Sequence, residues 1–282
     1  MNSLRSRVTA YVRVTHLFAV VVVSLASGGF AALALGGFGN VWRIVGIFSA
    51  MFLIQVAIGC SNEYFDRHLD AVAKPWRPIP AGAIPARSVV AIAIVTALAG
   101  LAISLTLGLV SGFIASLGLA LGVSYNAGLK RTRLAWLPYV LALPLVPIWS
   151  FVAVGRSANH LLLLYPLGIL AIIGIHLANT LPDIERDVAA GVSGFAHSLG
   201  RRGAFVVCVS ALGATPVLML LAQSVTPLRL EIFLPAAGIY SVLIVLGIAV
   251  YLGRRGGDRW LFHLYAPAIA ILGTAWVASS AT

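Results

Sequence analysis

Six of the eight acidic residues in this 282-residue chain fall within two short windows. The first reads Asn62-Glu63-Tyr64-Phe65-Asp66-Arg67-His68-Leu69-Asp70, and the second Asn179-Thr180-Leu181-Pro182-Asp183-Ile184-Glu185-Arg186-Asp187. Both follow N-x-x-x-D-x-x-x-D, and they start 117 residues apart. On a helix, a step of four residues turns only about 40° past a full revolution and climbs about 6 Å. The Asn and the two Asp of each window are therefore expected to line one stripe of one helix. Two such stripes facing one another would offer carboxylate and amide oxygens across a gap. Hard oxygen donors without soft ligands suit Mg²⁺, which often shares its coordination sphere with substrate phosphates. Four aspartates alone in a partly desolvated cleft would repel one another. Divalent cations and basic neighbours would relieve that repulsion, and a diphosphate fits as their anionic ligand.

Basic residues flank both windows. Lys74-Pro75-Trp76-Arg77-Pro78-Ile79-Pro80-Ala81-Gly82 follows the first as a proline-stiffened loop with two cations. Ser124-Tyr125-Asn126-Ala127-Gly128-Leu129-Lys130-Arg131 supplies two more, and Arg13 stands at the start of the first apolar stretch. Arginine forks phosphate oxygens, whereas lysine acts as a point charge. The plainer alternative is that Lys74, Lys130 and Arg131 simply mark one side of a membrane. Glu63 and Glu185 fall off the stripes. His68 and His176 lie near the windows without the paired spacing of a transition-metal site, and read as packing or helix-end groups.

The elements that must carry these windows are membrane helices. The chain is 60% hydrophobic and 10% charged, with a mean hydropathy of +1.01, whereas soluble domains carry about 25% charge. A spanning helix needs about 20 apolar residues, and nine apolar runs of that order can be drawn. They are 14–36, 41–62, 88–109, 111–128, 135–154, 161–180, 203–223, 232–252 and 260–280. The third and fourth should form a tight hairpin around 108–112, and prolines at 138, 144, 147, 166, 216, 235 and 267 predict kinks. The run after Arg13 is too long for the core of a signal peptide and reads as a first membrane helix. Cys60 and Cys208 lie in apolar stretches and form no disulfide framework.

Charge placement fixes the expected orientation. With the N-terminus and every second loop on one side, 16 of the 19 Lys and Arg fall there, leaving only Arg43, Arg156 and Arg229 opposite. The positive-inside rule then puts the N-terminus and both windows at the cytoplasmic face. The net charge of +11 is thereby explained by topology, and no nucleic-acid partner is implied. Carboxylates near membrane depth are costly, so clustering them at one face calls for a function.

The paired windows, the R-P-I-P-x-G ending at Arg77–Gly82, the Y-x(3)-L-K-R sequence at Tyr125–Arg131 and the nine spans together resemble the UbiA superfamily of intramembrane prenyltransferases. The likeness runs along nearly the whole chain and is most specific from Asn62 to Gly82. It implies an all-α membrane protein of one domain over residues 1–282, with nine helices around a central cavity. It also implies transfer of a prenyl group from an isoprenyl diphosphate, through an allylic carbocation, to an aromatic or quinone-precursor acceptor. By position, Asp66, Asp70, Asp183 and Asp187 would hold Mg²⁺ with Asn62 and Asn179 assisting. Arg77, Lys130 and Arg131 would hold the diphosphate or orient the acceptor, and Tyr125 would lie near the reacting carbon. Two positions depart from the family pattern: Gly194 stands where a Thr is common, and Ala135-Trp136 where several branches carry Gly-Asn.

Three rival readings share these residues. A cyclase or a phosphoribosyltransferase would use the same diphosphate site with a different fate for the cation or a different donor. A cation-coupled transporter would place its acids near the bilayer midplane between inverted repeats, whereas both windows here end even-numbered spans.

Overall fold

The structure, a computed structural model, describes residues 2–189, 191–254 and 256–280. Arg255, one of the cations used to assign orientation, lies outside them, as do the side chains of Arg5 and Arg7. The helices are α1 (Asn2–Val14), α2 (Leu17–Leu35), α3 (Val41–Ala73), α4 (Ala86–Thr106), α5 (Leu109–Ala127), α6 (Leu137–Ala142) and α7 (Leu145–Ala153). They continue with α8 (Leu164–Thr180), α9 (Ile184–Ala189), α10 (Phe195–Leu221), α11 (Leu230–Gly253) and α12 (Leu261–Ser280). Among the described residues there is no strand.

Eight helical segments are long and apolar enough to cross a membrane, and the run at 135–154 supplies a shorter ninth. This ninth segment is divided into α6 and α7 at Leu143–Pro144. The backbone there keeps right-handed helical angles. What lapses is the hydrogen-bond ladder, because Pro144 and Pro147 bring no N–H. Elsewhere the prolines within spans do not end a helix. Pro216, Pro235 and Pro267 lie inside continuous helices, and the break in α10 falls at Gly200, with φ 65° and ψ 168°.

The helices form a ring. α3 packs on both α2 and α4, α8 on α10 and α11 on α12, and α12 returns to α2. Large apolar side chains such as Leu98, Phe113, Val242 and Val245 point outward, as helices facing lipid tails require. The expected hairpin is present, with α4 and α5 joined through Leu107 and Gly108.

α3 is the longest element, and its 33 residues span about 50 Å at 1.5 Å per residue. A hydrocarbon core of about 30 Å takes up roughly 20 of them, so α3 is longer than a single span needs, and its polar end carries the first window. On the opposite face, two of the three minority cations are engaged by main-chain carbonyls. Arg43 donates to the carbonyls of Ala153 (2.9 Å) and Leu107 (3.4 Å), and Arg229 to that of Ala278 (2.6 Å). Carbonyls left unpaired at helix ends attract cations in this way. Cys60 and Cys208 are free and buried.

Candidate active site

A cavity of about 600 Å³ opens in the ring, and both windows contribute to its wall. Asn62, Asp66 and Asp70 line it from α3, and Asn179, Asp183 and Asp187 from the 179–187 stretch. The first row matches the expectation of one stripe on one helix. The second does not. α8 ends at Thr180, residues Leu181–Asp183 form a 3₁₀ turn, and α9 resumes at Ile184. Pro182 lacks an N–H, so the hydrogen-bond ladder lapses there although Leu181 and Ile184 keep right-handed helical angles. The oxygens still reach the same cavity.

Lysines neutralise both rows, and one of them joins the rows. Lys130 Nζ donates to Asn62 Oδ1 (2.7 Å) and Asp66 Oδ2 (2.5 Å), while Arg131 reaches Asp66 Oδ1 at 3.3 Å. Lys74, from the loop after the first window, donates to Asp183 Oδ2 of the second at 2.7 Å. Burial pushes the Lys130 ammonium below its ordinary pKa, against the opposing pull of Asp66. Arg186 lies 3.8 Å from Asp183, and His197 Nε2 lies 3.5 Å from Asp187. Among the described residues, no three acidic, His or Cys groups converge on a single point.

Below the charged rim the wall becomes aromatic, then aliphatic. The Tyr125 ring stands edge-on to Tyr139 at 5.1 Å, and Asn179 donates to the Tyr139 hydroxyl at 3.2 Å. His176, one turn below Asn179 on α8, packs against Tyr139 at 5.2 Å, and neither of its ring nitrogens has a hydrogen-bond partner. Deeper still the lining is Met51, Ile54, Ile172, Ile175, Met219 and Leu272. A charged mouth and an apolar floor suit an amphiphile.

Of the twelve candidate site residues drawn from the sequence, eleven line this cavity: Asn62, Asp66, Asp70, Lys74, Arg77, Tyr125, Lys130, Arg131, Asn179, Asp183 and Asp187. Arg13 does not, being exposed on α1. The nearby basic group that does is His16, and sequence reasoning missed it. His197 and Tyr139 were missed as well. Glu63, off the stripe as expected, is buried and accepts from Arg77 and from His16 (3.0 Å).

A ring of membrane helices around a carboxylate-rimmed, apolar-floored cavity defines a membrane protein built to hold an amphiphile with an anionic head. The sequence matches the UbiA prenyltransferase family over residues 20–279, and the chain belongs to that family. The digeranylgeranylglyceryl phosphate synthase of Methanothrix thermoacetophila is 28% identical over 222 residues, covering 76% of this chain and 79% of that one. The chloroplastic chlorophyll synthase of Oryza sativa subsp. japonica is 30% identical over 166 residues, 55% of this chain but only 44% of the relative. Two solved structures share the fold. A UbiA homolog from Aeropyrum pernix K1, in its apo form, superposes with a TM-score of 0.73 at 21% identity, covering 90% of this chain and 96% of that one. A UbiA homolog from Archaeoglobus fulgidus, bound to GPP and Mg²⁺, gives 0.66 at 17% identity, with 95% and 99% covered.

Proposed function

We propose that this protein transfers a prenyl group from an isoprenyl diphosphate to a proton-bearing acceptor, with Mg²⁺ as cofactor, at the cytoplasmic face of a membrane. The observation that carries this reading is the pair of oxygen rows lining one cavity with an apolar floor. Asp66, Asp70, Asp183 and Asp187 are the proposed metal ligands, with Asn62 and Asn179 assisting. The donor set fits. It consists of hard oxygens alone, and Mg²⁺ usually takes one or two carboxylates and completes its shell with water and phosphate. A three-acid cluster is therefore not required. When bound, Mg²⁺ would supply charge neutralisation to the departing diphosphate.

The chain's own groups do the rest. Lys74, Arg77, Lys130 and Arg131 hold fixed positive charge at the rim, which stabilises the diphosphate more as its C–O bond breaks and negative charge builds. In doing so, Lys74 and Lys130 exchange their carboxylate contacts for phosphate oxygens. Tyr125, set by Tyr139, presents a ring where the allylic cation forms, a contact worth about 0.5–2 kcal/mol. The aliphatic floor takes the prenyl tail and excludes the water that would quench the cation.

The acceptor we propose is an aromatic or quinone-precursor ring. A glyceryl phosphate lipid is a second reading, supported by the digeranylgeranylglyceryl phosphate synthase relative. The test is purified protein with Mg²⁺, prenyl diphosphates of graded length and acceptors of both kinds, read by mass spectrometry. A coupled product identifies the acceptor. A cyclised product without acceptor turns the reading to a cyclase, and no turnover of any diphosphate overturns it.

A further inference from the structure

The corner between α1 and α2 lies ahead of residues 20–279, the segment that matches the family, and nothing in that match assigns it a role. Its turning residue, His16, has φ 54° and ψ 47°, and among the described residues it is the only non-glycine with positive φ. This left-handed conformation is unfavourable for a residue with a Cβ and persists only where the surroundings impose it. Two features of α3 do so. At Gly59 the corner sits so close that a Cβ would come within 2.6 Å of the Thr15 carbonyl oxygen. One turn further on, Glu63 Oε1 accepts from His16 Nε2 at 3.0 Å and also from Arg77 Nη1. Because a carboxylate only accepts, Nε2 carries a proton, and in the imidazolium form the Nδ1–H can donate to an anion.

Glu63 is 2% exposed, and its second oxygen is buried without a hydrogen bond. Burying a carboxylate with one oxygen unpaired is costly, so the residue needs a compensating use. Its two partners, His16 and Arg77, both line the cavity, whereas Glu63 itself does not. A single hidden carboxylate thus aims two basic groups at the space where a substrate must lie.

We propose that His16 and Arg77 form an anion-binding pair on the cavity wall, with Glu63 as their positioning residue, and that the ligand is a phosphoryl group. This rests on the reading above that the cavity is the reaction site. The phosphoryl group comes either from the donor's diphosphate or from a phosphate on the acceptor. His16 is then a substrate contact in its own right, and the backbone strain is the cost of turning its ring toward the ligand.

His16→Gly and His16→Asn provide the test, because both replacements accept a left-handed backbone. Binding is measured by calorimetry with geranyl diphosphate plus Mg²⁺, and with inorganic phosphate in the presence and absence of geranyl diphosphate. Tm is followed alongside. The expected result is an affinity loss of about 10-fold or more, as for removal of a charge-assisted hydrogen bond, at temperatures where the variant remains folded by its own Tm. A loss confined to geranyl diphosphate assigns the pair to the donor; a loss confined to inorganic phosphate assigns it to the acceptor. Affinities within twofold of wild type, or losses that only track a falling Tm, overturn the proposal. Wild-type protein that binds phosphate but not geranyl diphosphate sinks the proposed function while leaving this pair standing. Wild-type protein that binds neither sinks both.

Discussion

The two aspartate windows have the same sequence pattern but different mechanical settings. The first occupies the end of an unbroken 33-residue helix, rooted in buried Ile54, Val56, Ala57 and Cys60. The second is divided among the end of α8, a 3₁₀ turn and the six-residue α9. Their counter-charges are also crossed. The first window draws Lys130 and Arg131 from a separate loop, while the second draws Lys74 from the loop that follows the first. A rigid row faces a jointed one, and Lys74 ties the jointed row to the loop after the rigid one. Periodicity in the sequence thus specifies which oxygens can meet, while proline placement specifies how stiffly each is held.

The most severe way to break this pairing is to remove an oxygen from either side. Asp66→Ala and Asp183→Ala should each lower turnover by about 10²–10³-fold, the scale for losing one electrostatic contact to developing charge. The double variant should be no worse than either single change, since groups acting as a unit are not additive. Steady-state prenyl transfer checks this, and additive losses would separate the rows into independent sites. A subtler change removes the joint. Pro182→Ala allows α8 to continue into α9, shifting Asp183 relative to Asp187, with an expected loss in kcat/KM of about 10- to 100-fold and no fall in Tm. Phe65→Pro, at the equivalent place in the first window, removes an interior helical hydrogen bond and should cost about 3 kcal/mol or more of stability, read as a lowered Tm.

Next in size is the tie itself. Lys74→Met leaves Asp183 without its ammonium, so the variant should melt earlier than wild type in chelator and gain more from added Mg²⁺. Bound ligand contributes about 2.7 kcal/mol at a hundredfold excess over Kd, and thermal melts with and without Mg²⁺ measure the difference. The smallest effect belongs to Glu185→Gln. Its side chain is 73% exposed and pairs with Arg201 at 3.2 Å, so stability should stay within about 0.5 kcal/mol and turnover should not change.

Much of this was legible in the sequence because membrane helices announce themselves by length and cation asymmetry, and because each window repeats at a helical step. The spans, the hairpin at Gly108 and the six Asn and Asp that the windows bring to the cavity follow from those two regularities. Lys74, Arg77, Tyr125, Lys130 and Arg131 came from the flanking motifs and the family resemblance. The jointed second row was less visible: Pro182 was in plain view, but a four-residue spacing was read as unbroken helix. Nothing in the sequence marks His16, whereas Arg13 stands out as a permanent charge at the start of the first span. Its outward direction depends on the reversal at residues 15–16, and a left-handed histidine has no sequence signature. Glu63 was correctly placed off the stripe, yet its partners come from 47 residues before it and 14 after it, a tertiary fact no local window contains. His176 read as a packing group, and its rings do stack, but its unsatisfied nitrogens on the cavity wall emerged only with the fold.

The overshoot of α3 has a consequence for how the protein meets its guests. One stiff rod stands in oil along most of its length and in water at its tip. A molecule with a greasy tail and a charged head can be handled there without being extracted from either phase. Encounter then becomes a two-dimensional search, and its rate follows how many such molecules occupy each patch of bilayer rather than how many are dissolved in each litre of buffer.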